Sequence, residues 1–289
     1  MVAFEVPEVD YTQYSNRQLI AIPLVVLAVA LGVLAVTYAM TGSPVVLGND
    51  FTGGSELKVQ SSEQISEQQA TDIFGDSVVS VQQVSGQDQY IITFDNTAEV
   101  SELTTQAEQT EGLTVLQSGS TSPVFGGQNQ RLALIGVGIA FLGMSALAFA
   151  LFRTFVPSIA IVISAFSDIV IPVAIMNLVG IKLSLGTVAA LLMLIGYSVD
   201  SDILLNNHVL RRSGGFYEST YRAMRTGVTM TITSIAAMTV MAIAATLFGI
   251  ELMASIGIVL VLGLTADLMN TYMLNVTLLR WYKYEGVNR

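Results

Sequence analysis

The sequence predicts an α-helical polytopic membrane protein with six transmembrane helices and one small α+β, ferredoxin-like extracytoplasmic domain between the first and second helices. Three observations predict it. Only 12% of the 289 residues are charged, where a soluble domain carries roughly a quarter. Mean hydropathy is +0.63. The apolar residues are gathered into six runs long enough to cross about 30 Å of hydrocarbon, while the polar ones concentrate over residues 41–130.

Residues 1–18 are expected as a cytosolic segment. The first run, Leu19–Met40, follows a weakly charged stretch without a small-residue cleavage site, so it reads as an uncleaved anchor. The polar segment then forms the domain at 41–130. Leu57–Gln60 alternates as a strand, and Ser61 with Gln64 fits a capping box before a helix through Phe74. Val78–Val84 and Tyr90–Phe94 flank a Ser85-Gly86-Gln87 turn and read as a hairpin. Asn96 with Glu99 opens a second helix, and Leu113–Gln117 supplies the fourth strand. The order βαββαβ is the split-βαβ, ferredoxin-like arrangement. The remaining spans fall within 131–280, at 132–152, 155–179, 185–206, 228–248 and 252–279, and a cytosolic tail follows at 281–289. Gly136, Gly138 and Gly143 in the second span are expected to permit close helix contact.

Orientation follows from the basic residues. With the N-terminus inside, the inner segments hold Arg17, Arg153, Arg211, Arg212, Arg222, Arg225, Arg280, Lys283 and Arg289, and the outer segments only Lys58, Arg131 and Lys182. This bias places both termini in the cytosol and the domain outside, in the cell membrane. Net charge is −10. The segment 41–130 holds twelve acids against Lys58 alone, which suits a protein bathed in concentrated salt, an extreme halophile's environment. There is no basic patch for nucleic acid. Cysteine is absent and His208 is the single histidine, so thiolate and His-cluster metal chemistry are excluded and no cofactor is implied. No nucleophile–base constellation appears, so no enzyme is expected.

Four acids fall inside apolar runs: Asp168 in span three, Asp200 and Asp202 in span four, and Asp267 in span six. A carboxylate at the bilayer centre costs about 2.5–3.5 kcal/mol on insertion scales, so each must face protein or water. Asp200 and Asp267 lie roughly 22 Å from the outer ends of their spans, and Asp168 nearer the midplane. Asp200 and Asp202 are about 200° apart around their helix and cannot face one narrow cavity together. Asp202 shares a stripe with Ser198 and Asn206, whereas Asp200 sits over Gly196 and Tyr197. One reading is a proton relay with Arg225 paired to Asp200 or Asp202. The other is local: an interfacial acid at Asp202, structural hydrogen bonds at Asp168 and Asp200, a helix anchor at Asp267 with Asn270 and Thr271, and a positive-inside anchor at Arg225. Gly53 and Gly54 serve backbone geometry where the chain leaves the membrane.

Two motifs carry a resemblance. Gly48-Asn49-Asp50-Phe51-Thr52-Gly53-Gly54 stands where span one meets the domain, and Gly196-Tyr197-Ser198-Val199-Asp200-Ser201-Asp202 stands late in span four. Together with a single domain between spans one and two, they resemble the SecF family, the smaller subunits of the SecD–SecF membrane complex, in the resistance–nodulation–division superfamily. The bacterial form of the second motif reads Gly-Tyr-Ser-Val-Asn-Asp-Thr. On this chain its Asn falls on Asp200, its Asp on Ser201 and its Thr on Asp202, and the acid-rich form looks like the archaeal branch. The resemblance implies an auxiliary role in Sec-dependent protein export. It also implies a SecD-like six-helix partner, the SecY channel and a translocating polypeptide, and ion coupling, to protons or sodium, through Asp168, Asp200, Asp202, Asp267 and Arg225. No internal repeat doubles the six spans, so a heterodimer is expected, its polar seam lined by spans four to six. The alternative is half of a small-molecule or lipid exporter of the same superfamily.

Overall fold

The fold is described from a computed structural model covering residues 6, 9–84, 88–211 and 214–286. The expected Ser85-Gly86-Gln87 turn lies outside the described residues, as do Arg212 and Arg289. A short 3₁₀ turn at Tyr11–Gln13 precedes α1 (Asn16–Thr41), which opens on a capping box between Ser15 and Gln18. A one-turn helix α2 (Asn49–Thr52) leads into β1 (Gly54–Ser61), α3 (Glu67–Phe74), β2 (Val78–Gln83), β3 (Gln89–Phe94), α4 (Val100–Gln109) and β4 (Leu113–Thr121). Then follow α5 (Pro123–Phe152), α6 (Phe155–Val179), α7 (Leu185–Arg211), α8 (Phe216–Leu247) and α9 (Glu251–Met269). The last span continues through a π-helical turn, Asn270–Asn275, into α10 (Val276–Trp281) and a second π-helical turn at Tyr282–Gly286. Among the described residues, six helices are long and apolar enough to cross a membrane.

The small domain is an antiparallel four-stranded sheet in the order β2-β3-β1-β4, with α3 and α4 packed on one face. That order is the ferredoxin-like one. Leu57, Val59, Ile92 and Phe94 on alternate strand positions meet Ala70 and Phe74 of α3 and Leu103 and Ala107 of α4. Several boundaries differ from expectation. The capping box before α3 is Ser66 with Gln69, not Ser61 with Gln64; Ser61 stays in β1, where its main chain pairs with Leu113. The fourth strand runs on to Thr121, because β1 offers it a full-length partner. The second span begins at Pro123, nine residues before the apolar run, capped by Ser122. Its polar first turns are held helical by packing on α2, where a Cβ on Gly126 would stand 2.7 Å from Phe51 O. The fifth span likewise begins at Phe216 rather than 228.

Close helix packing uses other glycines than those expected. A Cβ on Gly136, Gly138 or Gly143 would meet nothing within 4 Å. The crowded ones are Gly186 against Leu252, Gly257 against Ala242, Gly263 against Leu194 and Gly227 against Tyr272. The reason is position: α5 lies at the margin of the bundle, whereas α6, α7 and α9 form its centre.

The domain is seated on the bundle by main-chain contacts. Leu183 N donates to Val46 O and Gly48 N to Leu183 O, both at 2.8 Å, and Lys58 Nζ donates to Gly249 O at 2.9 Å. Gly53 has φ +77°, and a Cβ there would stand 2.7 Å from Pro123 N; Gly75 has φ +83° with open space around it. Alanine at either position should cost about 1–3 kcal/mol, since φ near +80° with ψ near 180° is a backbone region used essentially by glycine alone. Gly53→Ala adds a clash with main chain, so thermal unfolding of the purified chain should show it clearly more destabilised than Gly75→Ala. Equal losses would mean that the junction is not tightly packed.

Candidate ion-coupling site and the junction motif

Three of the four intramembrane acids converge. Asp168 comes from α6, Asp202 from α7 and Asp267 from α9, and all three are fully buried. The stripe Ser198, Asp202 and Asn206 points into the bundle, so the helical angle of Asp202 aims it at α6 and the last span. Ser198 Oγ donates to Asp168 Oδ2 and Asn270 Nδ2 to Asp168 Oδ1, each at 2.5 Å. Ser201 Oγ reaches both oxygens of Asp267, at 2.8 and 3.1 Å. Asn275 Nδ2 donates to Asp202 Oδ1 at 2.7 Å. Thr271 Oγ1 lies 2.9 Å from Asp202 Oδ1 and 3.3 Å from Asp267 Oδ1. Its one proton can serve only one of them at a time. Asp202 Oδ2 is buried with no hydrogen-bond partner among the described residues.

Among the described residues, no Lys or Arg side chain pairs with these acids. The one ion pair among the described residues is Arg222–Glu218, on the surface. Three bare carboxylates packed together in a low dielectric would be prohibitively unfavourable, so their charge must be balanced by bound protons or a bound cation. No group of three or more acids or imidazoles among the described residues is disposed to hold a metal ion. Bound protons would supply that balance without a coordination shell.

The cluster is asymmetric along the membrane normal. Towards the domain it ends on an apolar layer of Val173, Met176, Leu191, Leu194, Leu260 and Leu264. Towards the opposite end Asn275 and then Asn206, whose Nδ2 bonds Pro157 O at 3.2 Å, stand beside a second apolar cluster that includes Leu205, Val209, Val276 and Leu279. His208 is buried there with Nδ1 2.8 Å from Leu204 O.

Asp200 and Arg225 are not part of the cluster. Both are exposed, and Arg225 pairs with neither Asp200 nor Asp202. Asp200 lies on the outward face of α7 with Met193 and Gly196, and Tyr197 bonds Ser234 of α8. The buried polar seam within this chain therefore runs between spans three, four and six. Adjacent acids at Asp200 and Asp202 point opposite ways, as their angular separation requires. Sequence reasoning marked Asn270 and Thr271 but missed the donor roles of Ser201 and Asn275. Their signal was their polarity within apolar runs, at positions that a helical stripe carries past the acids.

The other motif has a different task. Asp50 Oδ2 accepts from Leu185 N at 2.9 Å, the first residue of α7, alongside a local cap in which Thr187 N donates to Ser184 Oγ at 3.2 Å. Asn129 of α5 donates to Asp50 O, and Phe51 is buried beneath. Gly54, with φ +130°, lies where a Cβ would stand 2.5 Å from Phe94 O. The motif thus ties the domain's first strand to the starts of α5 and α7, and α7 carries Ser198, Ser201 and Asp202.

Comparison with known proteins decides the family. Residues 100–285 match the family described as "Protein export membrane protein SecD/SecF, C-terminal". A protein-export membrane protein SecF of Haloferax volcanii is 66% identical over the whole of both chains. The chain belongs to the SecF family of protein-export membrane proteins. A second SecF, of Haloquadratum walsbyi, is 62% identical over the whole of both chains, and one of Pyrococcus furiosus 37% identical over 97% of this chain and 99% of its own. The halophilic relatives accord with the acidic composition. The crystal structure of SecDF, a translocon-associated membrane protein from Thermus thermophilus, superposes with a TM-score of 0.70 at 20% identity. The match covers 96% of this chain and 39% of that one, and it establishes the shared fold.

The SecF junction motif makes a direct expectation. Asp50→Ala removes an acceptor from the start of α7 and should lower stability by about 0.5–2 kcal/mol, the range for lost helix caps. Asp50→Asn keeps an acceptor oxygen and should lose much less. Thermal unfolding of the detergent-purified chain measures both; indistinguishable variants would remove the capping role.

Proposed function

We propose that this SecF-family chain is an auxiliary subunit of the Sec translocase that works with a SecD-like six-helix partner beside the SecY channel. In this reading it assists a translocating polypeptide at the outer face of the cytoplasmic membrane and couples that work to an ion gradient through Asp168, Asp202 and Asp267. The observation that carries the coupling is the buried trio of acids held by hydrogen-bond donors and unpaired with any Lys or Arg among the described residues. Proton is the favoured ion, since protonation neutralises each acid without a coordination shell.

The partner is supported by what the chain leaves exposed. Asp200 stands on the outer face of α7 and Arg225 on that of α8, both within membrane-spanning helices. Lipid there would penalise each by part of the ~2.5–3.5 kcal/mol that a charge costs at the bilayer centre, since both lie towards the inner ends of their spans. A second six-span subunit with complementary polar groups relieves both. The 66%-identical relative carries the name of an export subunit, and the name SecDF of the structural neighbour joins the two halves. The basic residues favour both termini inside, with the four-stranded domain outside.

Purification in mild detergent should recover the chain with a SecD-like protein. Asp200→Asn and Arg225→Met should weaken that recovery without lowering the chain's own stability. Asp168→Asn, Asp202→Asn and Asp267→Asn should leave the complex intact but slow export roughly a hundredfold, the lower end of the range for losing a positioned proton-transfer group. Unchanged export in all three, at normal membrane abundance, would sink ion coupling. Isolation solely as a monomer would sink the partnership.

A further inference from the structure

The intramembrane acids take most of their amide and hydroxyl partners from one irregular turn. Asn270, Thr271 and Asn275 all lie in the π-helical turn of the last span. Here the Val276 amide is shared between the carbonyls of Thr271 and Met273, so the regular ladder is interrupted. Such turns hold one residue more than an α-helical turn and mark functional positions. Without the bulge, residues on either side of it would turn by about 100° relative to one another. Asn270 and Asn275 could then not both face α6 and α7. The register of this turn therefore decides which acid has which partner.

The turn is held from outside the membrane-spanning helices. Tyr11, in the segment before α1, is buried, and its hydroxyl donates to the main-chain carbonyl of Tyr272 at 2.9 Å and contacts Met224 Sδ at 3.4 Å. Burial raises the Tyr11 phenol above its ordinary range, which keeps it a donor. The segment itself is braced. Asp10 accepts from Thr12 N at 3.0 Å, and Arg280 of α10 donates to Tyr11 O and Tyr14 O at 2.9 and 3.0 Å. On the far side, the Tyr272 ring fills a notch that exists because position 227 is glycine, and its hydroxyl is buried without a partner among the described residues. The segment before α1, braced by Arg280 of α10, thus holds the turn at Tyr272.

We propose that Tyr11 is a positioning residue for the intramembrane acids: it latches the π-helical turn at Tyr272 O and so holds Asn270, Thr271 and Asn275 on Asp168 and Asp202. This rests on the ion-coupling reading for its purpose, but not for its geometry. Loss of the latch frees the turn to change register, and the acids then exchange partners without any movement of α6 or α7. A segment outside the bilayer thereby gains a direct hold on the intramembrane site.

The test is hydrogen exchange, read by mass spectrometry on peptides across residues 268–279, with the full chain in its purified complex in lipid nanodiscs. Tyr11→Phe keeps the ring and removes the donor. It should speed exchange at Asn270–Val276 about fivefold, the factor that one ordinary hydrogen bond confers on a local opening. Arg280→Gln, which frees the segment's main chain, should act on the same peptides. Asp202→Asn should speed them too, and in the double variant Tyr11→Phe/Asp202→Asn the combined effect should fall short of the product of the two. Unchanged exchange in both Tyr11→Phe and Arg280→Gln would overturn the latch. Independent, multiplicative effects would overturn its connection to the acids, since a merely structural tyrosine predicts them. Export by Tyr11→Phe should be slowed at unchanged abundance. If Asp202→Asn exports normally while the exchange effects remain non-multiplicative, the ion-coupling reading fails and the latch stands.

Discussion

The central constraint on this chain is that three carboxyl groups sit where neither water nor lipid can solvate them. Each must then be surrounded by donors from its own protein, and the sequence meets that demand from three helices at once. Asp168 on α6 draws on Ser198 of α7 and Asn270 of the last span; Asp267 draws on Ser201 of α7; Asp202 draws on Asn275 and Thr271. No helix satisfies its own acid except where Thr271 reaches back one turn to Asp267. The hydrogen bonds therefore serve as the polar cross-links of the bundle's centre, and they explain why α6, α7 and α9 are its innermost helices while α1, α5 and α8 line its margin. In a membrane, where apolar side chains gain little by leaving lipid for one another, such cross-links and close glycine contacts are the available means of fixing helix order.

α7 is the element on which both family motifs meet. Its first residue is bonded by Asp50 of the junction, and seventeen residues further on it presents Asp202. At 1.5 Å per residue that is roughly 25 Å of uninterrupted helix. The domain and the acids are thus joined by one stiff rod, not by a chain of side-chain contacts. The junction is correspondingly rigid: Gly53, Gly54 and Gly126 are glycines because main chain passes within a Cβ radius of each. A flexible tether would need glycine for a different reason and would show open space around it, as Gly75 and Gly112 do.

Much of this was legible in the sequence, for physical reasons that differ between elements. Apolar runs mark where lipid must be met, so the spans were visible. Their starts were not, because the polar turns of α5 and α8 are held by packing on neighbours and not by hydropathy. Period-two alternation exposed the strands, but Ser61 and Ser66 are equally good caps in isolation, and only the length of β1 chooses between them. The angular separation of Asp200 and Asp202 was readable from helix geometry; which of them pointed inward was not, since that depends on how α7 is rotated against α6 and α9. The π-helical turn left no visible signature. An extra residue per turn is stabilised by tertiary partners, here Tyr11, Asp168, Asp202 and the notch at Gly227, and none of these is near it in sequence.

The asymmetry around the acids follows from the same turn. On the domain side the last span is a regular helix, and its side chains Leu260 and Leu264 close against Leu191 and Leu194 in an apolar layer. At Asn270 the register changes, and from there Asn270, Thr271 and Asn275 reach the inward face among Leu274, Val276 and Leu279, with Asn206 opposite. The acids lie at this boundary. On the domain side they meet aliphatic side chains alone, and on the other side polar and aliphatic ones together. The turn that supplies the donors is therefore also the turn that ends the apolar layer, and a change in its register would alter both properties together.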